Sequence, residues 1–335
     1  MAPCIIVVVV LVTAFAREGI TAEVRAGGDP GQHPRPGIGT GVVDGNATLR
    51  LQVFLDRQGF SPGILDGRPG LFLTKAVARW QQAHGLAVTG IPDHEADLPP
   101  DQPTLVPYTI AARDQGFVGP CPTEPADQAK VQSLPYRTML EFLGERFHCT
   151  PKLLQARNPG LTSENPLPGT TLLVPNVEPF CLESLDRRAG IAANASHPAL
   201  RHRIIQVHRA ERMLDVWDGA LLVASFPVTP GGGTVETPVG TWRVVSLAVA
   251  PTFRWDRSVL ETGRRSDTFF LLPPGPNNPV GVLWCALNRP GIGIHGTETP
   301  HTIGRAASHG CVRMANWDIV RLAGLITPGV RVIID

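Results

Sequence analysis

The sequence predicts a multidomain α+β protein whose C-terminal domain is mostly β. Its 335 residues exceed the length of one typical domain, so two or three domains are expected. Apolar residues recur at helical spacing in the first half, whereas short apolar runs separated by Gly, Asp or Pro dominate after residue 199. The 35 glycines and 33 prolines favour turns and linkers over a helical bundle.

Residues 1–16 have the pattern of a secretory signal peptide. Ile5 to Val12 form an unbroken apolar run, and Ala14-Phe-Ala16 has the small residues of a cleavage site. The run is shorter than the ~20 residues of a membrane-spanning helix. It lacks a preceding Lys or Arg, and a buried strand is the other interpretation. We expect an exported protein with a flexible linker over residues 17–44, where Gly and Pro are frequent.

Residues 45–95 are predicted to form a small three-helix unit. Apolar residues recur at helical spacing around Leu51 and again from Leu73 to Ala83, with Thr74 as the expected N-cap and Gly85 just past the end. Any small helical spacer would need such a core. The unit also contains the residue pairs Leu51-Gln52, Gly59-Phe60, Asp66-Gly67, Ala76-Val77, Trp80-Gln81 and Gly85-Leu86. These pairs match the pattern of the peptidoglycan-binding domain, which the unit resembles. The resemblance, unlike the periodicity, implies binding.

Residues 104–180 are predicted to fold as strand, helix, helix, strand. The first strand is Tyr108 to Ile110, a helical stripe runs from Tyr136 to Phe147, and Leu172 to Pro175 is the closing strand. The order resembles a LysM glycan-binding domain, with matching marks at Leu153-Leu154, Asn158-Pro159, Pro168-Gly169 and Val174-Pro175. Roughly 25 residues between the first strand and the first helix exceed the family pattern.

The C-terminal domain, residues 199–335, is predicted from short strands. Asp218-Gly219 is expected to turn a β-hairpin. A helix is expected from Trp317 to Ile326, and a closing strand from Val330 to Ile334. Gly231-Gly-Gly233 lacks the Lys or Ser of a phosphate loop, so a mobile turn is expected there.

The residues with catalytic chemistry are concentrated near the C-terminus. His295 and Cys311 lie sixteen positions apart, each beside a glycine. An imidazole within reach of a thiol can take its proton and activate the sulfur. Gly310 would let the backbone N–H groups at 310 and 311 approach an oxyanion, which is stabilised by about 3 kcal/mol per donor. The carbonyl of Gly296 could orient the imidazole, so replacing Gly296 with Ala is expected to be mild. Arg313 could pair with a substrate carboxylate.

Other interpretations of these residues remain open. A cysteine and a histidine are also common as buried core residues. His295, His301, His309 and Cys311 have the side chains of a zinc site, although no CxxC or HExxH spacing supports one. Ser308 is a weaker nucleophile candidate, because in an extended chain it points away from His309.

The segment His295-Gly-Thr, followed by Ser308-His-Gly-Cys-Val-Arg-Met314, resembles the signature of L,D-transpeptidases with a YkuD-type catalytic domain. Further matches lie at Asp215 to Gly219, Thr237 to Trp242 and Pro276 to Gly281. The resemblance implies a β-sandwich. It also implies a set of site residues: Cys311, His295, Gly296 and Gly310 for catalysis, and Ser308, His309 and Arg313 for substrate binding.

The same resemblance implies a reaction. Cys311 would attack the carbonyl of the third residue of a peptidoglycan tetrapeptide stem and expel D-Ala, and an amine of another stem would accept the acyl group in a third-to-third cross-link. No cofactor is expected. Peptidoglycan stems and glycan strands are the expected partners, a carbapenem is a possible covalent inhibitor, and the periplasm or cell wall is the expected location.

Two alternatives to this function are retained. One is an L,D-carboxypeptidase or an enzyme that attaches a protein or a D-amino acid to peptidoglycan. The other is a non-catalytic wall-binding protein with the same fold. A net charge of +1 gives no electrostatic case for nucleic-acid binding.

The cysteines are expected to differ in redox state. Export would allow disulfides. We predict one disulfide confined to Cys121, Cys149 and Cys181, with the pairing open. Cys285 and Cys311 are expected to remain thiols, because a bridge at Cys311 would silence the nucleophile.

Overall fold

A computed structural model describes residues 45–92, 102–185, 198–232, 235–305 and 310–335. The predicted signal peptide and linker, and the candidate site residues Ser308 and His309, lie outside the described residues. Residues 43–335 form one compact unit. Within the described ranges, no helix has both the length and the apolar character needed to cross a bilayer.

The first helical unit contains two helices in its described part, α1 (Gly45–Arg57) and α2 (Leu71–Ala83). Helix α2 begins earlier than the predicted cap at Thr74. Gly70 is the N-cap in extended backbone, and its carbonyl accepts the N–H of Thr74 at 3.1 Å, which places Thr74 inside the first turn. Gly85 follows the helix end with a φ of +68°, a conformation that favours glycine. The third predicted helix does not occur in residues 45–92.

The middle unit has the predicted order of strand, two helices and strand. Its strands β1 (Leu105–Thr109) and β2 (Thr171–Pro175) pair antiparallel. Between them lie the short α3 (Pro125–Gln128), then α4 (Met139–Arg146) and α5 (Pro151–Arg157). This order places α4 and α5 over the two-stranded sheet, where their apolar residues share one core with it.

The long connection before α4 docks the middle unit onto the C-terminal domain. Leu134 donates its N–H to the carbonyl of Pro274 at 3.0 Å and accepts the N–H of Asn277 at 3.1 Å. The Asn277 side chain donates to the carbonyl of Pro135 at 2.7 Å and accepts from Arg137 at 3.0 Å. The residues that exceed the LysM pattern therefore form an interface.

The C-terminal domain is built on one sheet of eight strands. Neighbouring strands of this sheet are hydrogen-bonded in the order β11-β10-β9-β6-β12-β3-β4-β5. These strands are β3 (Ile204–His208), β4 (Met213–Asp218), β5 (Leu221–Pro227), β6 (Gly240–Val249), β9 (Leu283–Leu287), β10 (Gly293–His295), β11 (Val312–Arg313) and β12 (Arg331–Ile334). The remaining elements are β7 (Phe253–Trp255), which pairs with β8 (Phe270–Leu272), and the helices α6 (Arg257–Thr262) and α7 (Asn316–Leu325).

Most local predictions for this domain agree with the structure. Asp218 and Gly219 join β4 to β5 in a hairpin, and α7 lies within one residue of the expected helix. The predicted closing strand lies inside the sheet, because β12 pairs with β3 on one side and with β6 on the other. All eight strands are hydrogen-bonded in one sheet. A β-sandwich consists of two packed sheets, so that part of the expectation stays a prediction.

Helix α7 is where the three units meet. Arg321 donates to Asp56 of α1 at 2.8 Å, and Asp318 accepts from Ser61 at 3.0 Å. Trp317 stacks on His148 of the middle unit, with ring centroids 5.2 Å apart. Burial alone would raise the pKa of Asp56, but Arg321 and His148 hold it well below its usual range. The units therefore pack directly on one another through an ion pair, a buried hydrogen bond and a ring contact.

The described cysteines form no disulfide, so the predicted bridge among Cys121, Cys149 and Cys181 is not present. Cys149 is buried in the core of the middle unit, while Cys181 lies 3.9 Å from the guanidinium of Arg146. Burial raises the pKa of Cys285 to about 12, so this thiol is an inert core group.

Replacing Asp56 with Ala should destabilise the protein strongly. The carboxylate is 1% exposed, and its loss leaves the Arg321 charge buried without that partner. Removing one member of a buried pair costs about 3–5 kcal/mol. The measurement is the free energy of unfolding in urea. Asp127→Ala is the control, because its pair with Lys130 is exposed and worth at most about 1 kcal/mol. Equal losses for both variants would contradict the prediction.

Candidate active site

Strands β10 and β11 bring the histidine and cysteine segments side by side. They pair in parallel, with Ile294 opposite Val312 and His295 opposite Arg313. Ile294 and Val312 are fully buried in the core. Because side chains alternate across a strand, residues 293, 295, 311 and 313 share the opposite face. Strand spacings of about 3.3 Å per residue and 4.8 Å between strands place the Cα atoms of Cys311 and His295 about 8 Å apart.

Two contacts fix the imidazole of His295, which is 5% exposed. Its Nδ1 donates to the carbonyl of Gly296 at 2.7 Å, which leaves Nε2 as the acceptor nitrogen. The ring also stacks on Trp284, the residue opposite it on β9, with centroids 5.3 Å apart. Gly293 makes room for the indole, because a Cβ there would lie 2.6 Å from Trp284.

The sulfur of Cys311 lies against the glycine-containing segment before β10. Its Sγ donates to the carbonyl of Gly291 at 3.4 Å, and the backbone of Gly293 is a second polar contact that lowers its pKa. Burial outweighs this contact and raises the pKa of Cys311 to about 11. Cys311 is therefore a thiol at neutral pH.

The protonation state of His295 matches that of the thiol. Burial lowers the pKa of His295 to about 4; the Gly296 carbonyl raises it, and the charge of Arg313 lowers it further. A neutral imidazole is a competent base at neutral pH. The pair is thus two neutral groups, and not the thiolate–imidazolium pair of some thiol enzymes.

Arg313 is half-buried beside the pair on β11. Burial lowers its pKa, and the nearby carboxylate of Glu298 raises it. Within the described residues, its Nε and Nη2 are buried and have no hydrogen-bond partner. A guanidinium with unused donors at this position can bind a carboxylate.

Gly296 is held in a tight three-way contact. The side-chain oxygen of Asn316 occupies the space that a side chain would need at either Gly296 or Gly281, so a Cβ at either glycine would overlap it. Gly281 has a φ of +61°, which also favours glycine. Asn316 Oδ1 is therefore packed directly beside the backbone of both glycines.

Gly310 is in a similarly restricted place. Its φ is +90°, and a Cβ on Gly231 would lie 2.5 Å from its backbone nitrogen. Thr237 accepts from the N–H of Gly231 at 2.6 Å and donates to the carbonyl of Cys311 at 3.4 Å. The start of the predicted mobile turn at Gly231 is thus packed against the backbone of the nucleophile.

The structure brings together five of the seven predicted site residues, namely Cys311, His295, Gly296, Gly310 and Arg313. His301 is exposed on a short 3₁₀ turn. In the described ranges, no group of three or more His, Cys, Asp or Glu side chains could hold a metal ion, and His309 lies outside those ranges. Sequence reasoning missed Trp284, Asn316, Gly231 and Thr237. Of these four, only Trp284 could have been found from its sequence position, because it lies on a strand next to that of His295.

A cleft of about 390 Å³ separates the first helical unit from the catalytic domain. Its walls include the cationic residues Arg68, Lys75, Arg212 and Arg305, together with Trp317 and Asp318 of α7. Neither His295 nor Cys311 lines it. The cleft is thus distinct from the thiol–imidazole pair.

Two family models match the chain. Residues 202–334 match the YkuD family, described as "L,D-transpeptidase catalytic domain". Residues 44–95 match "Putative peptidoglycan binding domain". These matches confirm the two resemblances that the sequence showed in these regions.

Two proteins and one solved structure that are similar to this chain are also described as L,D-transpeptidases. The chain is 26% identical over 193 residues to the "Putative L,D-transpeptidase YkuD" of Bacillus licheniformis, covering 58% of this chain and 91% of that protein. It is 27% identical over 197 residues to the "Probable L,D-transpeptidase YbiS" of Escherichia coli K12, covering 58% of each. A solved structure of L,D-transpeptidase 3 from Mycobacterium tuberculosis, in complex with a faropenem-derived adduct, is 14% identical. It has a TM-score of 0.34 and covers 51% of this chain and 76% of that one.

Replacing Gly296 with Ala should reduce reactivity at Cys311 by tenfold or more, which revises the mild effect expected from sequence. The new methyl group overlaps Asn316, so the Gly296 carbonyl must move away from His295. The measurement is the rate of covalent adduct formation by intact mass. Gly324→Ala in α7 is the control, because nothing lies within 4 Å of its added methyl. An unchanged rate for Gly296→Ala would contradict this geometry.

The reaction rate should be nearly constant between pH 5 and pH 8. The pKa of His295, about 4, is lowered, so its neutral form persists as pH rises above that value; the raised pKa of Cys311, about 11, keeps the thiol protonated throughout. Thiolate absorbance at 240 nm should rise only above about pH 10 when Cys311→Ala is subtracted from the wild type. Thiolate absorbance attributable to Cys311 at pH 7 would show an ion pair instead.

Proposed function

We propose that this chain is an exported cysteine L,D-transpeptidase of peptidoglycan. Residues 1–16 are its signal peptide and 17–44 its linker. Residues 45–95 bind peptidoglycan, 104–180 form the LysM-like unit, and 199–335 form the catalytic domain. The periplasm or cell wall is its site of action. The matches to a catalytic and a peptidoglycan-binding domain support this proposal.

The observation that carries the proposal is the shared face of β10 and β11. His295 and Arg313 lie on one face of the sheet, and Cys311 occupies a position on the same face. Ile294 and Val312 anchor the two strands in the core on the other face. This arrangement brings a base, a nucleophile and an anion-binding group together where the His295 and Cys311 segments of the family signature pair. Two separately buried core residues would not need an unpaired guanidinium beside them.

The reaction follows from the two neutral groups. The sulfur of Cys311 bonds to the carbonyl carbon of the third stem residue as Nε2 of His295 takes the thiol proton. Backbone N–H groups at Gly310 and Cys311 stabilise the oxyanion. The carbon–nitrogen bond to D-Ala then breaks, and the imidazolium returns the proton to the leaving amine, which leaves a thioester and D-Ala.

The second half of the reaction regenerates the enzyme. The amine of another stem attacks the thioester carbonyl while His295 removes one of its protons. The carbon–sulfur bond breaks, and the proton passes to the sulfur, so that a third-to-third cross-link and the free thiol form. Water as acceptor gives the carboxypeptidase, and another amine attaches a protein or a D-amino acid.

Substrate binding uses the remaining predicted residues. Arg313 pairs with a carboxylate of the donor stem, supported by its two unused donor groups. Ser308 and His309, which directly precede Gly310, contact the stem from the nucleophile loop. A carbapenem acylates Cys311 as a covalent inhibitor.

Incubation with purified tetrapeptide muropeptides tests the function. Mass spectrometry should show loss of D-Ala and formation of a cross-linked dimer, and the thioester should appear on intact protein. Cys311→Ala should abolish both products, and Cys311→Ser should be nearly as inactive because a hydroxyl is the weaker nucleophile.

Two further variants separate the roles. His295→Ala should slow acylation strongly without removing the thiol, whereas Arg313→Gln should raise the half-saturating stem concentration about tenfold, since a charge-assisted pair is worth about 1.5–3 kcal/mol. A wild type that binds sacculi but forms no thioester would favour the non-catalytic binding protein. Hydrolysed stems without dimers would identify a carboxypeptidase.

A further inference from the structure

We propose that Glu145 of the middle unit is a positioning residue for His295 and acts through Asn316; this inference rests on the proposed acyl-transfer function. The middle unit would then complete the active site in addition to any role in binding glycan.

The amide of Asn316 is fixed from three directions. It is fully buried, and its Oδ1 accepts the N–H of Val282 at 3.1 Å. Its Nδ2 donates to Oε1 of Glu145 at 2.9 Å and to the carbonyl of Pro276 at 3.3 Å. A flipped amide would place its NH₂ group against the Val282 N–H, so this arrangement allows a single orientation.

Glu145 is the distant member of this set. It lies on α4 and is 7% exposed, and the Tyr136 hydroxyl donates to its other oxygen, Oε2. Burial raises the pKa of Glu145 to about 8, although the hydrogen bonds from Tyr136 and Asn316 lower it. Oε1 accepts from Asn316 and Oε2 accepts from Tyr136, so both oxygens of the buried carboxyl have a hydrogen-bond partner.

Asn316 transmits this contact to the catalytic histidine. Its Oδ1 fills the space beside Gly281 and Gly296, where neither glycine has a side chain. The Gly296 carbonyl in turn accepts from Nδ1 of His295 at 2.7 Å and so selects the tautomer with Nε2 free. If Asn316 moves, the Gly296 peptide can rotate, and the imidazole loses the contact that defines its base nitrogen.

The contact also distinguishes two roles for the middle unit. A domain that only tethers the enzyme to glycan has no need for a buried side chain inside the catalytic domain. Glu145 reaches 171 positions along the chain to Asn316, and both groups are excluded from water. A flexible linkage would break such a bond, because a buried polar pair requires fixed geometry.

The test compares full-length Glu145→Leu and Glu145→Gln. Leu removes the acceptor for Asn316, so we expect the acylation rate to fall tenfold or more with the half-saturating stem concentration unchanged. In the ¹⁵N spectrum of histidine-labelled protein, His295 should change from one tautomer to a mixture. Gln retains an acceptor oxygen, so its rate should stay within about threefold of wild type with a wild-type spectrum.

Glu183→Gln is the matched control, because this half-exposed glutamate lies just after the middle unit and accepts from Arg146 of α4 rather than from Asn316. If Glu145→Leu does not fold, Glu145→Asp replaces it, since a carboxyl shorter by one methylene also withdraws from Asn316. Wild-type rate and spectrum in the folded Leu or Asp variant would overturn the proposal. Absence of acyl transfer in the wild type would instead overturn the proposed function, while the tautomer comparison would still decide the role of Glu145.

Discussion

The active site depends on the side-chain amide of Asn316. This one group satisfies a backbone N–H of the catalytic domain, donates to the middle unit, and occupies the space between two glycines. It lies at the first position of α7, three residues after Arg313 on β11. The helix therefore continues directly from the strand that follows the nucleophile, and any element packed on α7 also constrains the site. Buried groups of both N-terminal units are packed there, at Asp318 and Arg321 as well as at Asn316.

Burial determines the chemistry of the site as strongly as the choice of residues does. A thiol and an imidazole in water would titrate near pH 8.5 and 6.5. In this fold the partial burial of Cys311 and the burial of His295, which stacks on Trp284, make the charged form of each group costly. Both groups are therefore neutral near pH 7.

The sequence predicted Cys311 and His295 as the candidate catalytic residues, because their motif is long and each residue type has a defined chemistry. It also predicted α4, α5, α7 and the β4–β5 hairpin, where caps, periodicity and turn residues are local signals. It could not predict the contact of Asn316 with Gly296 or with Glu145, since these depend on how distant elements pack. The same limit explains the disulfide error: compatible cysteine counts do not show whether Cys149 is buried away from its neighbours.

The placement of β12 has a consequence for the order of assembly. Arg331 on this strand pairs with Ile204 in parallel and with Arg243 in antiparallel fashion, so β12 lies between strands from the beginning of the domain. Until residue 334 is available, β3 and β6 have an unfilled gap between them, and each presents an open edge. Such long-range pairing slows folding and exposes edges that can associate with other chains. The sheet therefore cannot be completed until nearly the whole domain has been synthesised, because its central pairing joins the first and the last strands of the domain.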